Sequence, residues 1–255
     1  MATALLRLSL WPLAAAGFWM LVMPAAPALA ADCAVPSDYF VFEPMLPRTV
    51  AALSAGRKVT IVAIGAASTE GRAAGGPAYA WPKQLGDVLS KEFPAAKIAV
   101  VNLGKARQTA ADMAARFEKE IKPLAPILVI WETGTVDAVG SFEIGAFRDT
   151  LQSGFASLKA VSEVVVMDAQ FSRRTHIMID FEPYESAIRQ VADVNDVPMF
   201  PRNDLMRYWS ETGEFDYTVS EKDARRDMAR RLYGCIGRAM AEFVTRRPHV
   251  PGSHP

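Results

Sequence analysis

The sequence predicts an α/β domain: a mostly parallel sheet of about five strands with helices covering both faces. Two patterns carry this. Short, nearly continuous apolar runs recur between residues 58 and 200, as expected of strands buried on both sides. Stretches of helical periodicity separate them, which is the alternation of a parallel sheet. In addition, about 225 residues remain after the leader discussed below, enough for one domain with a sizeable core.

The elements follow in order. Residues 58–64 (KVTIVAI) are apolar after the opening lysine and read as a buried strand. Residues 81–93 form an amphipathic helix, and 97–103 (KIAVVNL) a second strand. Residues 109–124 are expected as one helix with Met113, Ala114, Phe117 and Ile121 on one face. Residues 127–133 (ILVIWET) make a third strand, with Trp131 packing in the core. A helix over 142–160 leads to a fourth strand at 163–169 (EVVVMDA). A helix over 183–196, a short strand at 197–200 and a long closing helix over 221–245 complete the domain. In such sheets ligands sit beyond the carboxyl ends of the strands. The segments after Ile64, Leu103 and Thr133 are therefore the ones to search.

Residues 1–30 stand apart. After Arg7 the run LSLWPLAAAGFWMLVMPAAPALA carries no charge and exits through Ala28-Leu29-Ala30. It predicts a secretory signal peptide cleaved after Ala30; an uncleaved membrane anchor is the alternative, since the run is long enough to span. The protein is thus expected to be exported, periplasmic or secreted, with its domain over 31–247 and a loose Pro-rich tail over 248–255. Lys and Arg total 28 against 28 Asp and Glu, so no net charge points to nucleic acid. The two cysteines, Cys33 and Cys235, would meet an oxidising compartment, which favours a bridge; two unrelated buried thiols are the alternative. There is no Cys/His cluster with metal spacing and no phosphate-loop or dinucleotide fingerprint, so no cofactor is expected.

Four blocks carry chemistry: Gly65-Ala66-Ala67-Ser68-Thr69-Glu70-Gly71, Asn102-Leu103-Gly104-Lys105-Ala106-Arg107, Gly134-Thr135-Val136-Asp137 and Asp223-Ala224-Arg225-Arg226. In this order they resemble the SGNH/GDSL hydrolase superfamily, especially its exported bacterial branch, over nearly all of the mature chain. The resemblance implies a flavodoxin-like three-layer α/β/α sandwich. It also implies where the chemistry would stand. The family's first block reads Gly-Asp-Ser-x-Thr-x-Gly, and its nucleophilic serine falls on Ala67. The second supplies an oxyanion donor from a glycine that is here Arg107. The third supplies an asparagine that is here Val136. The last reads Asp-x-x-His; its aspartate is Asp223 and its base is Arg226.

Each exchange has a chemical meaning. Alanine cannot attack an ester. Arginine stays protonated and cannot take a proton from serine. Valine offers no side-chain donor. The resemblance therefore implies an exported hydrolase-like protein without a working catalytic set. Ser68 is the alternative nucleophile of an atypical esterase, and as a plain turn residue its hydroxyl would instead bind nearby backbone. None of the three histidines, His176, His249 and His254, occupies an Asp-x-x-His position.

Two guanidinium groups replace a glycine and a histidine. Arg107 and Arg226 are expected to border the former catalytic cleft, where paired arginines suit carboxylate, phosphate or sulfate. The ligand expected is a small anion or a cell-envelope component, with membrane contact only through an uncleaved leader. The competing reading is structural. Arg226 would neutralise Asp223 on one helix face, and Arg107 would fill the cleft against Glu70 or Asp137. Arg202, Met206 and Trp209 form a further pattern shared with the exported branch, read as a wall of the cleft or as packing.

Overall fold

A computed structural model of the chain describes residues 33–40 and 46–246, leaving out the side chains of residues 37, 38 and 174–176. The leader over 1–30 and the tail over 248–255 lie outside the described residues, as do His249 and His254. Among the described residues there are five strands: β1 (Lys58–Ile64), β2 (Lys97–Asn102), β3 (Leu128–Glu132), β4 (Glu163–Met167) and β5 (Met199–Phe200). All pair in parallel in the order β2-β1-β3-β4-β5. The chain moves to one side of β1 for β2 and to the other for β3. This reversal opens a crevice at the carboxyl end of β1.

Ten α-helices cover the described sheet: α1 (Pro47–Ser54), α2 (Ala67–Glu70), α3 (Trp81–Glu92), α4 (Ala110–Ala114), α5 (Thr135–Val139), α6 (Ile144–Lys159), α7 (Arg173–Met178), α8 (Glu182–Val194), α9 (Arg202–Glu211) and α10 (Lys222–Thr245). The side chains of each strand alternate between two cores. Ile61, Ala63, Ile130, Val165 and Met167 face α1, α3, α9 and α10. Val62, Ile64, Trp131 and Val166 face α4, α6 and α8. These are the three layers that the residue pattern implied, and they account for strands without polar alternation.

Helix faces follow the spacing of their apolar residues. Phe147, Leu151, Phe155 and Leu158 recur at three and four residues along α6 and are all buried, as an amphipathic stripe requires. The helix expected over residues 109–124 is broken into α4, a π-turn at Phe117–Ile121 and a 3₁₀ turn at Lys122–Leu124. Pro123 has no N–H for the helical ladder. Arg116 is drawn inward, donating from Nη2 to Leu103 O at 2.9 Å and pairing with Glu120 at 2.7 Å. The inner face survives the break: Phe117 meets Trp131 edge-on at 5.0 Å, and Trp131 Nε1 donates to Met113 Sδ at 3.3 Å.

Helix α1 was not evident from the sequence pattern. Its first N–H groups are satisfied from the sheet, since the Glu163 carboxylate accepts from Arg48 N and Thr49 N at 2.8 Å each, a favourable arrangement for an anion at a helix start. Cys33 and Cys235 are joined in a disulfide with Cα atoms 5.5 Å apart, within the usual span for a bridge. Among the described residues no helix is long and apolar enough to cross a membrane.

Candidate functional site

The site is built where β1 ends. Gly65 leaves the strand, and Ala67 opens the single turn of α2. A side chain at Gly65 would collide with Thr69 and Glu132, so only glycine lets the strand end approach β3 so closely. Thr69 sits at the centre of the turn. Its hydroxyl donates to Glu132 Oε2, it accepts from Trp81 Nε1 at 3.2 Å, and its carbonyl accepts from Asn102 Nδ2 at 2.6 Å. Asn102 Oδ1 in turn accepts from Gly104 N at 2.9 Å. The loop after β2 is thereby tied onto α2, an arrangement reinforced by Lys105 N donating to Gly65 O at 2.9 Å.

Beneath the turn lies a buried ion pair that the sequence reading missed. Glu132, the last residue of β3, is 1% exposed, and Arg202, the first of α9, is 0% exposed. Arg202 Nη2 lies 3.1 Å from Glu132 Oε1 and donates to the Asp168 carbonyl at 2.7 Å. Its Nη1 donates to Ser68 Oγ at 2.8 Å. Burial pushes the Glu132 carboxyl upward. The Arg202 charge and the hydroxyls of Thr69 and Ser68 outweigh this and hold it below the usual carboxylate range. The hint in sequence was a single carboxylate closing an otherwise apolar strand.

Ser68 therefore does not stand free. It is 5% exposed, its oxygen accepts a hydrogen bond from the permanently charged Arg202, and its hydroxyl is one of the groups that hold the Glu132 carboxyl down. A carboxylate held ionised by an arginine is a weak base, and a hydroxyl so placed is a poor nucleophile. Ala67, which the sequence resemblance sets at the family's serine position, carries only a methyl group.

The other family positions are placed as follows. Arg107 lies in the loop after β2 and holds a left-handed backbone, φ 67°. That conformation is natural to glycine and costs about 1–3 kcal/mol for other residues. The backbone N–H of the position is retained, because exchanging glycine for arginine removes no main-chain donor. The side chain is exposed, and nothing among the described residues pairs with its guanidinium. The expected partners are engaged elsewhere: Glu70 lies 3.4 Å from Arg72, and Asp137 accepts from Ala110 N at 3.1 Å at the head of α4. Val136 lies in the first turn of α5, half-buried and packed on the second core.

Asp223 and Arg226 both fall inside α10 and pair with each other at 3.1 Å, as the structural reading of this block expected. Asp227 adds a second carboxylate at 4.0 Å from Arg226. Arg226 lies against the loop after α2, its Cδ near Gly75, and Arg230 Nε donates to Ala74 O at 2.9 Å in the same loop. The loop just ahead of α10 holds another aspartate with a residue three places on, Asp216 and Val219, and Asp216 is turned onto Thr218. Neither register provides an imidazole. Among the described residues the only histidine is His176, on α7.

Arg202, Met206 and Trp209 are all buried on α9, so this pattern packs the core and supplies the ion pair. Asp168, just beyond β4, is 2% exposed and accepts from Asn203 N at 2.9 Å. Burial raises its carboxyl to about 8 against the pull of the Asn203 N–H and Arg202.

A parallel sheet in the order 2-1-3-4-5, with a glycine-led turn after β1 and its partner loops after β2 and β3, is the scaffold of the SGNH/GDSL hydrolases. Residues 32–249 match the model of the Non-GDSL lipase-like family, and the chain belongs to that family. The structure is similar to a lipase/acylhydrolase from Enterococcus faecalis, with a TM-score of 0.59 and 16% identity over 73% of this chain and 95% of that one. It is also similar to a catalytic mutant of an acetylxylan esterase from Geobacillus stearothermophilus, with a TM-score of 0.56 and 16% identity over 74% and 95% of the two chains. A lipolytic protein of the G-D-S-L family from Desulfitobacterium hafniense gives 0.50 and 19%, over 69% and 99%. At these identities the likeness speaks for the fold. Among curated proteins no sequence matches the chain.

Proposed function

We propose that this protein is an exported, non-hydrolytic member of its family that binds a small anion, or an anionic group of an envelope component, in the former catalytic cleft. The observation that carries the loss of catalysis is the state of Ser68: buried, and held between Arg202 and Glu132. With Ala67 at the nucleophile position, Val136 in place of an amide and no imidazole in either candidate last block, the family's acyl-transfer chemistry has no attacking group and no base.

Arg107 supports the binding half of the proposal. Its guanidinium is exposed, its backbone is held in a costly conformation, and a fork of five donors suits a carboxylate, phosphate or sulfate oxygen pair. Arg226 is the second candidate, already flanked by Asp223 and Asp227, so it contributes only where the ligand displaces those carboxylates. The predicted leader and the disulfide support export.

Calorimetry with acetate, phosphate and sulfate tests the reading, using wild type, Arg107→Ala, Arg226→Ala and the double variant. The expected result is an affinity lost mainly with Arg107 and abolished in the double variant. Equal affinity in wild type and double variant would refute the anion site. Turnover of short-chain aryl esters that disappears in Ser68→Ala would restore the enzyme reading.

A further inference from the structure

The Cys33–Cys235 bridge lies under a cation. Cys235 is part of α10, and three residues on Arg238 turns its guanidinium back over the bond. Its Nη2 is 2.9 Å from Cys33 Sγ and 3.6 Å from Cys235 Sγ. Sulfur is a weak acceptor, so this contact gains little while the bond is intact. A thiolate in the same place gains far more, because a neighbouring arginine lowers a cysteine's pKa below its ordinary value of about 8.5. The guanidinium therefore favours the reduced pair over the bridge, and a sulfur of lowered pKa is also the better leaving group in exchange.

The bridge anchors a strap. Residues 33–40 run from Cys33 across α9 to the end of α10. Trp209 Nε1 donates to Ala34 O at 3.2 Å, and the rings of Tyr39 and Tyr208 are 5.5 Å apart. Phe40 packs on Phe243 at 5.5 Å and on Phe200 at 6.1 Å, and its carbonyl accepts from Arg246 at 2.8 Å. Opening the bond removes the covalent tie and leaves the described part of this segment held by packing and hydrogen bonds.

We propose that Cys33–Cys235 is a thiol–disulfide exchange site tuned by Arg238, and that its reduction frees the first residues of the strap from α9 and α10. The reductant is a dithiol protein or small molecule. Its thiolate attacks Cys33 Sγ, on the less buried of the two cysteines, forming a mixed disulfide. The S–S bond breaks and its electron pair leaves with Cys235 as a thiolate beside Arg238. The second thiol of the reductant then loses its proton and attacks the mixed disulfide. It closes the reductant's own disulfide and returns Cys33 as a thiolate. Two electrons pass to the pair, and the two protons released by the dithiol are taken up by the thiolates as their pKa values allow.

The test equilibrates full-length mature protein in dithiothreitol redox buffers, traps the thiols with an alkylating agent and counts them by mass. Wild type, Arg238→Gln and Arg238→Lys are compared. Arg238→Gln is expected to require about tenfold more reducing conditions, or about 30 mV, while Arg238→Lys stays near wild type. In reduced wild type the alkylation rate is expected to titrate below the ordinary cysteine pKa, and in Arg238→Gln to move up. The indole emission that disappears in Trp209→Phe is expected to shift to the red on reduction, as the Ala34 contact opens. Equal equilibrium constants for wild type and Arg238→Gln would overturn the proposal. So would a bridge that resists reduction in all three proteins until the whole domain unfolds, since that is the behaviour of a purely structural disulfide.

Discussion

Arg202 donates to Ser68 Oγ at 2.8 Å, across 134 residues of chain and wholly inside the protein. The same guanidinium pairs with Glu132 at 3.1 Å. One side chain thus joins the turn after β1, the end of β3, the residue after β4 and the start of α9. In an active relative of this fold the turn must present a reactive serine. Here the only hydroxyls in the turn are turned downward, into the ion pair, and hold the scaffold together.

Breaking that pair is expected to be costly. Glu132→Gln or Arg202→Met leaves one buried group without its partner, at about 3–5 kcal/mol in a denaturant titration. The double variant is expected to cost less than the sum, because the second change removes the stranded charge. Strictly additive losses would mean that the two residues do not act on each other.

Stability is expected to depend on pH through Asp168. Its folded pKa, raised to about 8 chiefly by burial, lies above the unfolded value of about 3.9. The folded state therefore binds the extra proton. This contribution is complete below the unfolded pKa, declines as pH rises, and is gone above about 8. Asp168→Asn, whose amide oxygen can still accept from Asn203 N, is expected to flatten the unfolding midpoint between pH 5 and 8. A slope unchanged in Asp168→Asn would place the pH dependence elsewhere.

The proposed anion site gives a reason for an arginine, rather than a glycine, at the left-handed position 107. Arg107→Gly is expected to raise Tm by about 2–4 °C, the shift from relieving about 1 kcal/mol in a chain of this size, while anion binding falls. A lower Tm would show that the guanidinium is structurally engaged.

Much of the fold was legible in the residues. Strands β1, β3 and β4 announced themselves because they are buried on both faces, and the inner stripes of α6 and α8 because their apolar residues keep helical spacing. The face of Met113, Phe117 and Ile121 was legible although the helix bearing it was not. Pro123 and the inward pull on Arg116 break the backbone without moving the apolar side chains off the core. The glycines of the first two blocks were legible, since Gly65 and Gly104 are fixed by close approach of neighbouring backbone or side chains. The partners of the residues around them were not. Glu132 and Arg202 lie 70 residues apart, and only the sheet order and the placement of α9 bring them together. Asp137 looked available to Arg107 but is spent on the head of α4.

The central claim is that no nucleophile is presented at the carboxyl end of β1. The most direct measurement is reaction of the folded protein with an alkyl fluorophosphonate, read by intact mass and peptide mapping. The expected result is no adduct at Ser68 at concentrations and times that fully label an active esterase of the same fold. A stoichiometric adduct on Ser68, lost in Ser68→Ala, would contradict the account.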